Sequence, residues 1–133
     1  MKLRIKGNSI RLRLTRSEVE AFVSAGSVAE RLDFPQGNSL TYRILSDSQL
    51  EQPASTFADD VLTVRVPEAQ LRHWSAPSEV SMRGSQELPD GQTLGLLIEK
   101  DFACLVEREG EDDSDAFAHP EAGRTHGHPE PKP

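Results

Sequence analysis

Basic residues recur at every second position in two neighbouring stretches near the start of the chain. In residues 2–6 and 10–14, lysine and arginine alternate with leucine and isoleucine. Alternation with period two is typical of a half-buried β-strand, in which successive side chains point to opposite faces. The pattern therefore predicts two strands that share an apolar face and a basic face. Guanidinium groups on a rigid basic face could hold a phosphate or carboxylate in bidentate geometry.

Further arginines on later predicted strands could join this basic face. Arg65 is expected to do so from the matching strand of the second half of the chain, and Arg43 and Arg83 are expected nearby. Such a face could bind an acidic protein, a phosphorylated small molecule or the chain's own acidic tail. The alternative is a plain solvated face, on which Lys and Arg discourage pairing with the edge of another sheet. The candidate anion- or ligand-binding residues are Arg4, Lys6, Arg11, Arg13, Arg43 and Arg65.

Nucleic acid is not favoured as a partner, because residues 1–106 carry 14 acidic and 12 basic residues. The phosphate backbone selects strongly basic domains, and no aromatic residues are interleaved here for base stacking. The net charge of −7 lies mostly in residues 107–133, which hold 8 acidic and 3 basic residues. The composition of that tail predicts disorder, because it offers little apolar surface to offset the entropy of ordering.

Three histidines of the tail are candidate metal ligands. His119, His126 and His128 stand in a Pro- and Gly-rich stretch, and His126-Gly127-His128 could chelate a borderline metal. No tetrahedral ligand spacing accompanies them, so a solvated tail that binds no metal is the alternative. No cofactor is predicted.

Candidate hydrolytic carboxylates do not converge in the sequence. Asp59-Asp60 is predicted to form a turn, and Glu99 and Asp101 are predicted at the end of a strand, so no spacing forces two of them into one site. No phosphate loop, dinucleotide glycine motif, HExxH or GxSxG is present. A non-enzymatic binding or interaction module is therefore favoured over an enzyme.

The elements that would position these residues predict an α+β fold, with a mainly antiparallel sheet or barrel and two helices. A first helix is expected after Thr15, which with Glu18 fits a capping box, and its predicted buried stripe is Val19, Phe22 and Val23. A second helix follows Pro67, with Leu71 and Trp74 on its core face. Residues 46–56 are predicted to be a loop, and strands are expected around residues 28–34, 40–44, 62–66, 80–82 and 93–100, with residues 102–106 as a continuation or a last short strand.

The second half of this pattern resembles the first. Leu14, Val19, Phe22 and Val28 match Val66, Leu71, Trp74 and Val80, each 52 residues later, and matches around the next turn are 54 residues apart. The alternative explanation is that any two β-α-β-β stretches have similar apolar spacing, because the periodicity of strands and helices requires it. We expect one α+β domain in residues 1–106 with half-repeats at about 10–47 and 62–101, each a β-α-β-β unit, followed by the tail of residues 107–133.

Composition favours a cytoplasmic protein. The chain has one cysteine, Cys104, so no disulfide framework within it is possible. No apolar run approaches the roughly 20 residues of a membrane span, and the charged residues of the opening strand interrupt any signal-like apolar run. We therefore expect no membrane association.

The opening sequence, Met1-Lys2-Leu3-Arg4-Ile5-Lys6-Gly7-Asn8-Ser9-Ile10-Arg11-Leu12-Arg13-Leu14-Thr15, resembles that of a family of small uncharacterised bacterial proteins. The segment from Ile98 to Leu105, with the acidic run Glu111 to Asp115 and Phe117, is similar to the end of that family. The resemblance covers roughly residues 1–120, and Ala118-His119 stand where the family pattern implies Pro and Asn. It implies a domain of unknown function and no catalytic residue.

The predicted order of elements also resembles, in topology alone, that of the triphosphate tunnel enzymes. Their duplicated halves form an eight-stranded barrel lined by Arg, Lys and Glu, which would imply a phosphate-ester or nucleotide-binding enzyme. Their ExExK strand is absent here, since residues 1–16 contain no Glu. That likeness and metal binding by the tail are the alternatives to a binding module with a basic strand face.

Overall fold

The computed structural model of the protein describes residues 1–77 and 81–101. The predictions for Val80, for Cys104, for a strand at 102–106, and for the tail with His119, His126 and His128 lie outside the described residues. In chain order, the described elements are β1 (Lys2–Lys6), β2 (Ser9–Leu14), α1 (Arg16–Ala25), β3 (Ser27–Asp33), β4 (Ser39–Asp47), β5 (Ala54–Ala58), β6 (Val61–Pro67), α2 (Glu68–Trp74), β7 (Ser81–Glu87) and β8 (Thr93–Lys100).

The strands form two four-stranded sheets. Sheet I has the order β1-β2-β8-β7 and sheet II the order β3-β4-β6-β5. In each sheet the central pair is parallel and the two outer pairs are antiparallel. The predicted α+β fold with mainly antiparallel sheet and two helices is confirmed for the described chain, whereas a closed barrel is wrong because the strands divide into two separate sheets.

The pairing registers of the two sheets correspond residue by residue. In sheet I, Ser9 of β2 lies opposite Gly95 of β8, and in sheet II, Val61 of β6 lies opposite Thr41 of β4. Val61 follows Ser9 by 52 residues, and Gly95 follows Thr41 by 54, which are the offsets seen in the sequence. Each half of the described chain contributes one hairpin to each sheet, in the order ββαββ, and β1 and β5 are the strands that precede the two predicted β-α-β-β stretches.

Helix α1 begins where its sequence predicts. The Thr15 hydroxyl accepts a hydrogen bond from the backbone N–H of Glu18, and the Glu18 carboxylate accepts one from the N–H of Thr15 at 2.9 Å, which completes the capping box. Gly26 ends the helix with φ +83°, a left-handed conformation that glycine adopts without steric cost.

Both helices insert an aromatic side chain into one core shared by the two sheets. Phe22 of α1 and Trp74 of α2 are buried there. Val23 was predicted to join them, which is wrong: 47% of it is exposed, because the strands cover only the stripe around Val19 and Phe22. Both sheets and both helices contribute to this core, which consists of Met1, Leu12, Leu14, Val19, Phe22, Ile44, Val64, Val66, Leu71, Trp74, Met82, Leu96 and Ile98.

Strand β5 occupies part of the segment that was predicted to be a loop. Ala54–Ala58 pairs with β6 and forms an edge of sheet II. The Gln86 side-chain amide covers this edge, since it accepts from the N–H of Ser55 at 2.7 Å and donates to the C=O of Ser55 at 3.2 Å. Tertiary pairing therefore creates a strand where the sequence lacks apolar alternation.

The two sheets approach each other at two equivalent corners. At one corner Pro53 lies against Gly84. At the other, 52 and 54 residues earlier in the chain, the ammonium group of Met1 forms ion pairs with Glu30 and also with Glu18. The hydroxyl of Tyr42 donates to the C=O of Met1 at 3.0 Å. One corner is therefore closed by close backbone packing and the other by a charge cluster.

The charge cluster raises the pKa of the Met1 amine. Burial by itself lowers this pKa, but hydrogen bonds and attraction from Glu18 and Glu30 outweigh it, so the pKa lies above its ordinary value. Burial and the two carboxylates likewise raise the pKa of Tyr42. Because the amine pKa is higher in the folded state, its interactions stabilise the fold fully at pH values below the pKa of the amine in the unfolded chain, about 8. This stabilisation is lost as the pH rises through the amine pKa of the folded state.

Replacing Glu30 by Gln is expected to lower the free energy of unfolding at pH 7 by about 1 kcal/mol, because the ammonium group loses a charged acceptor. Urea unfolding between about pH 7 and 9.5 should show the difference from wild type narrowing as the amine deprotonates. Glu20→Gln, on the exposed side of α1, is the matched control and should change little. A difference that stays constant over this range would contradict the assignment.

Candidate anion-binding platform

The outward face of sheet I gathers basic residues from three strands. Residues that pair across strands share a face of the sheet, so the register places them in rows. The first row runs from β1 to β7 as Lys2, Arg13, Glu99 and Ser81, the second as Arg4, Arg11, Leu97 and Arg83, and the third as Lys6, Ser9, Gly95 and Ser85. We call these three rows the platform.

Part of the platform's charge is neutralised by carboxylates. Glu99 lies between two arginines: its Oε1 is 3.1 Å from Nη2 of Arg13 and 3.4 Å from Nε of Arg11. Lys2 Nζ lies 3.5 Å from Oδ2 of Asp101, at the end of the first row. The first row is therefore close to charge balance.

Three cations of the platform have no carboxylate partner among the described residues. These are Arg4 and Lys6 on β1 and Arg83 on β7, and all three are exposed. Arg11, at the centre, shares its carboxylate with Arg13. The positive charge of the platform is thus concentrated in its second and third rows, with Glu87 of β7 beyond them.

The floor between these cations is partly apolar. Leu97 of β8 is half-buried between Arg11 and Arg83, which stand on the strands to either side. Strand spacing places the Cα atoms of those two arginines about 10 Å apart. Gly95 projects no side chain from the next row, where Ser9 and Ser85 supply hydroxyl groups. The platform offers several cationic donors around a shallow floor.

Sequence reasoning grouped six basic residues, and the structure divides them between the two sheets. Arg4, Lys6, Arg11 and Arg13 share the platform, whereas Arg43 and Arg65 lie on the outward face of sheet II. Both arginines of sheet II have partners there: Arg43 Nε donates to the Thr63 hydroxyl at 2.9 Å, and Arg65 lies 4.0 Å from Asp47 and 3.4 Å from the Thr56 hydroxyl. Arg83, which was expected nearby, lies on the platform in its second row.

The floor residues were missed, although one signal was available. Leu97 and Gly95 have the same parity along β8 as Glu99, which predicts that they face outward with it. What alternation cannot supply is the parallel pairing of β2 with β8, which joins residues more than 80 positions apart. The floor becomes visible only once that pairing is known.

The candidate carboxylates form no metal site within the described chain. Asp59 and Asp60 form the predicted turn between β5 and β6, both with left-handed φ, of 53° and 63°. Glu99 and Asp101 are each engaged by platform cations. No group of three or more His, Cys, Asp or Glu residues that could hold a metal occurs among residues 1–77 and 81–101.

Neither described helix is long and apolar enough to cross a membrane. Comparison with curated proteins gives no match, and comparison with solved structures gives none either. A family model does match, over residues 1–121, and its description is "Family of unknown function (DUF7009)". This agrees with the resemblance in the opening and closing segments, and because the match spans nearly the whole sequence, the chain belongs to that family of unknown function.

Proposed function

We propose that the protein is a small, non-enzymatic binding module that holds an acidic protein segment on its platform. The observation that carries this proposal is the exposure of Arg4, Lys6 and Arg83 on one rigid sheet face without carboxylate partners in the described chain. Arginine forks pair well with carboxylates, and anionic groups from a partner would complete them. The role needs no acid–base residue.

The shape of the platform favours a protein segment over a small molecule. Small ligands bind mostly in concave sites that bury most of their surface. The platform instead extends over four strands, about 14 Å between the edge strands, with a leucine and a glycine at its centre. An extended acidic segment could contact Arg4, Arg11 and Arg83 together, while its apolar groups lie over Leu97.

Binding of a fluorescein-labelled poly-glutamate peptide, followed by anisotropy, tests the proposal. We expect measurable binding that weakens with added salt, because exposed charges are screened. The double variant Arg4→Glu/Arg83→Glu should weaken binding at least tenfold, about 1.4 kcal/mol. Both residues are exposed, so folding should be unaffected.

The matched control is Arg16→Glu/Arg72→Glu, which changes the net charge equally but lies on the exposed surfaces of the helices. Its affinity for the peptide should stay within about twofold of wild type, since these substitutions lie off the platform and change only the long-range electrostatic field. Equal losses in the two double variants would contradict a localised site. Inorganic triphosphate with and without magnesium, and a single-stranded oligonucleotide, are competitors, and tighter binding of either would exclude an acidic protein as the preferred partner.

We further propose that the domain, residues 1–106, arose by duplication of a β-α-β-β unit, with half-repeats at about residues 10–47 and 62–101, and that β1 and β5 precede these half-repeats as matching first strands. The matching registers of the two sheets support this proposal. The single cysteine and the absence of a membrane-spanning helix among the described residues support a cytoplasmic location, and the resemblance of the opening segment supports a bacterial origin.

A further inference from the structure

The end of the domain away from the helices exposes apolar side chains. Each sheet carries its hairpin turns at this end, because the helices join the opposite ends of the strands. Four of the five most exposed large apolar residues of the described chain lie here. They are Ile5 at 60% exposure, Leu32 at 50%, Phe34 at 46% and Phe57 at 65%. We call this region the turn end.

Two of these residues share a groove on sheet II. Phe34 and Phe57 line an open groove of about 310 Å³ together with Leu40 and Asp60. Phe34 follows β3 and Phe57 stands on β5, which are the two opposite edges of the sheet. Contiguous exposed apolar surface of this kind marks an interaction site in a folded protein. The groove belongs to a different surface from the platform.

On sheet I, the charges of the turn end are complementary under one symmetry operation; on sheet II the same operation brings the Arg31–Asp33 ion pair toward Asp59 and Asp60 of the second copy. In sheet I, Lys6 ends β1 at one edge, while Glu87 ends β7 at the opposite edge and Asp90 follows in the next turn. A two-fold axis perpendicular to the sheets and just beyond the turn end reverses the order of the edges in the second copy. It brings Lys6 of one copy toward Glu87 and Asp90 of the other, twice.

The same axis brings the apolar residues together. Because β3 and β5 also exchange edges, Phe34 of one copy meets Phe57 of the second copy, and the two grooves close on each other. Two-fold dimers need one self-complementary patch, and here the charges of sheet I and the apolar groups of sheet II meet that condition. We propose that the protein forms a two-fold dimer through its turn end, with a second copy of this chain as the occupant of the groove.

This dimer uses Lys6, at the edge of the platform, in its interface and leaves Arg4, Arg11 and Arg83 of the second row open on the outward face of each sheet I. Each dimer then presents two platforms on a common body. A partner with two acidic segments would bind both, with an effective concentration set by their separation. The dimer does not depend on what the platform binds.

Sedimentation equilibrium over roughly 1 to 300 µM tests the dimer, a range that brackets weak to moderate affinities. Wild type is expected to approach twice the chain mass at the upper end. The variant Phe34→Ser/Phe57→Ser should stay monomeric or weaken association at least tenfold. Val23→Ser, an exposed apolar change on α1 at the other end, should leave association unchanged. A wild type that stays monomeric over this whole range would overturn the proposal. The groove would then serve a partner other than a second copy of this chain.

Charge reversal makes the test specific for the two-fold axis. Lys6→Glu alone and Glu87→Lys/Asp90→Lys alone should each weaken self-association, because like charges then face each other. An equimolar mixture of the two variants should regain the mass of a dimer, since both contacts are attractive again. No recovery in the mixture would overturn this arrangement even if wild type dimerises. Poly-glutamate binding by Phe34→Ser/Phe57→Ser, which leaves the platform intact, shows separately whether the proposed function stands.

Discussion

Replacing Trp74 by Ala is expected to remove about 3–5 kcal/mol from the free energy of unfolding, a range typical of buried aromatic side chains. Trp74 is 1% exposed and lies at the centre of the core shared by both sheets. The Lys100 ammonium stands 5.7 Å from its ring centroid, and Lys100 also donates to the C=O of Ala76 at 2.7 Å. Loss of the ring leaves a cavity and removes the aromatic face under a buried cation. Urea unfolding measures the change.

The buried aromatic residue of the other helix gives an independent check. Phe22, 52 residues earlier, is 0% exposed in the same core, and Phe22→Ala should cost a similar 3–5 kcal/mol. Since a domain of this size is stable by only about 5–15 kcal/mol, the double variant is expected to show no cooperative transition. Val23→Ala, on the exposed side of the same helix, should stay within about 0.5 kcal/mol. A loss below about 1 kcal/mol at Trp74 would contradict its central place in the core.

The local elements were largely predictable because their signals are local. The capping box of Thr15 and Glu18 places the start of α1, and the alternation in residues 2–6 and 10–14 predicts β1 and β2 with their faces. The burial of Phe22 and Trp74 followed from helical spacing. In each case neighbours within one turn or one strand determine the outcome, and such neighbours are visible in a sequence.

The arrangement of strands into sheets was not predictable from the same signals. Period two tells which face a residue occupies but not which sheet holds its strand, so Arg43 and Arg65 were grouped with residues from which the fold separates them. Strand β5 was missed because Ala54–Ala58 lacks apolar alternation and gains its place from β6 and from Gln86. Long-range pairing, not local preference, decides both points.

The same limit explains why the platform was only half foreseen. Its basic residues on β1 and β2 are local, whereas Arg83 and the floor residues Leu97 and Gly95 come from strands at the other end of the chain. The parallel contact of β2 with β8 creates the surface. The platform is therefore a property of the fold, and any change that moves β7 or β8 should alter it.

Gly84 of β7 is a position at which an added side chain should displace the strand. A Cβ atom built there would lie 2.7 Å from the backbone oxygen of Pro53 and 2.9 Å from its Cβ, closer than such atoms approach. The obstacle is backbone at a corner where the two sheets meet, so it cannot rotate away. Gln86 holds the same corner through its bonds to Ser55.

Replacing Gly84 by Ala is therefore expected to cost about 1–3 kcal/mol, and replacing it by Val more, because β5 must move away from β7. Gly95→Ala is the matched control in the neighbouring strand: its Cβ would find Ser9 at 3.9 Å, an ordinary contact, and Ala loses less backbone entropy than Gly. Urea unfolding should thus show a loss for Gly84→Ala and no loss, or a gain of up to about 1 kcal/mol, for Gly95→Ala. Equal stability of the two variants would mean that the corner is open enough to admit a side chain. A loss at Gly84 alone would place the close contact of the two sheets at this residue.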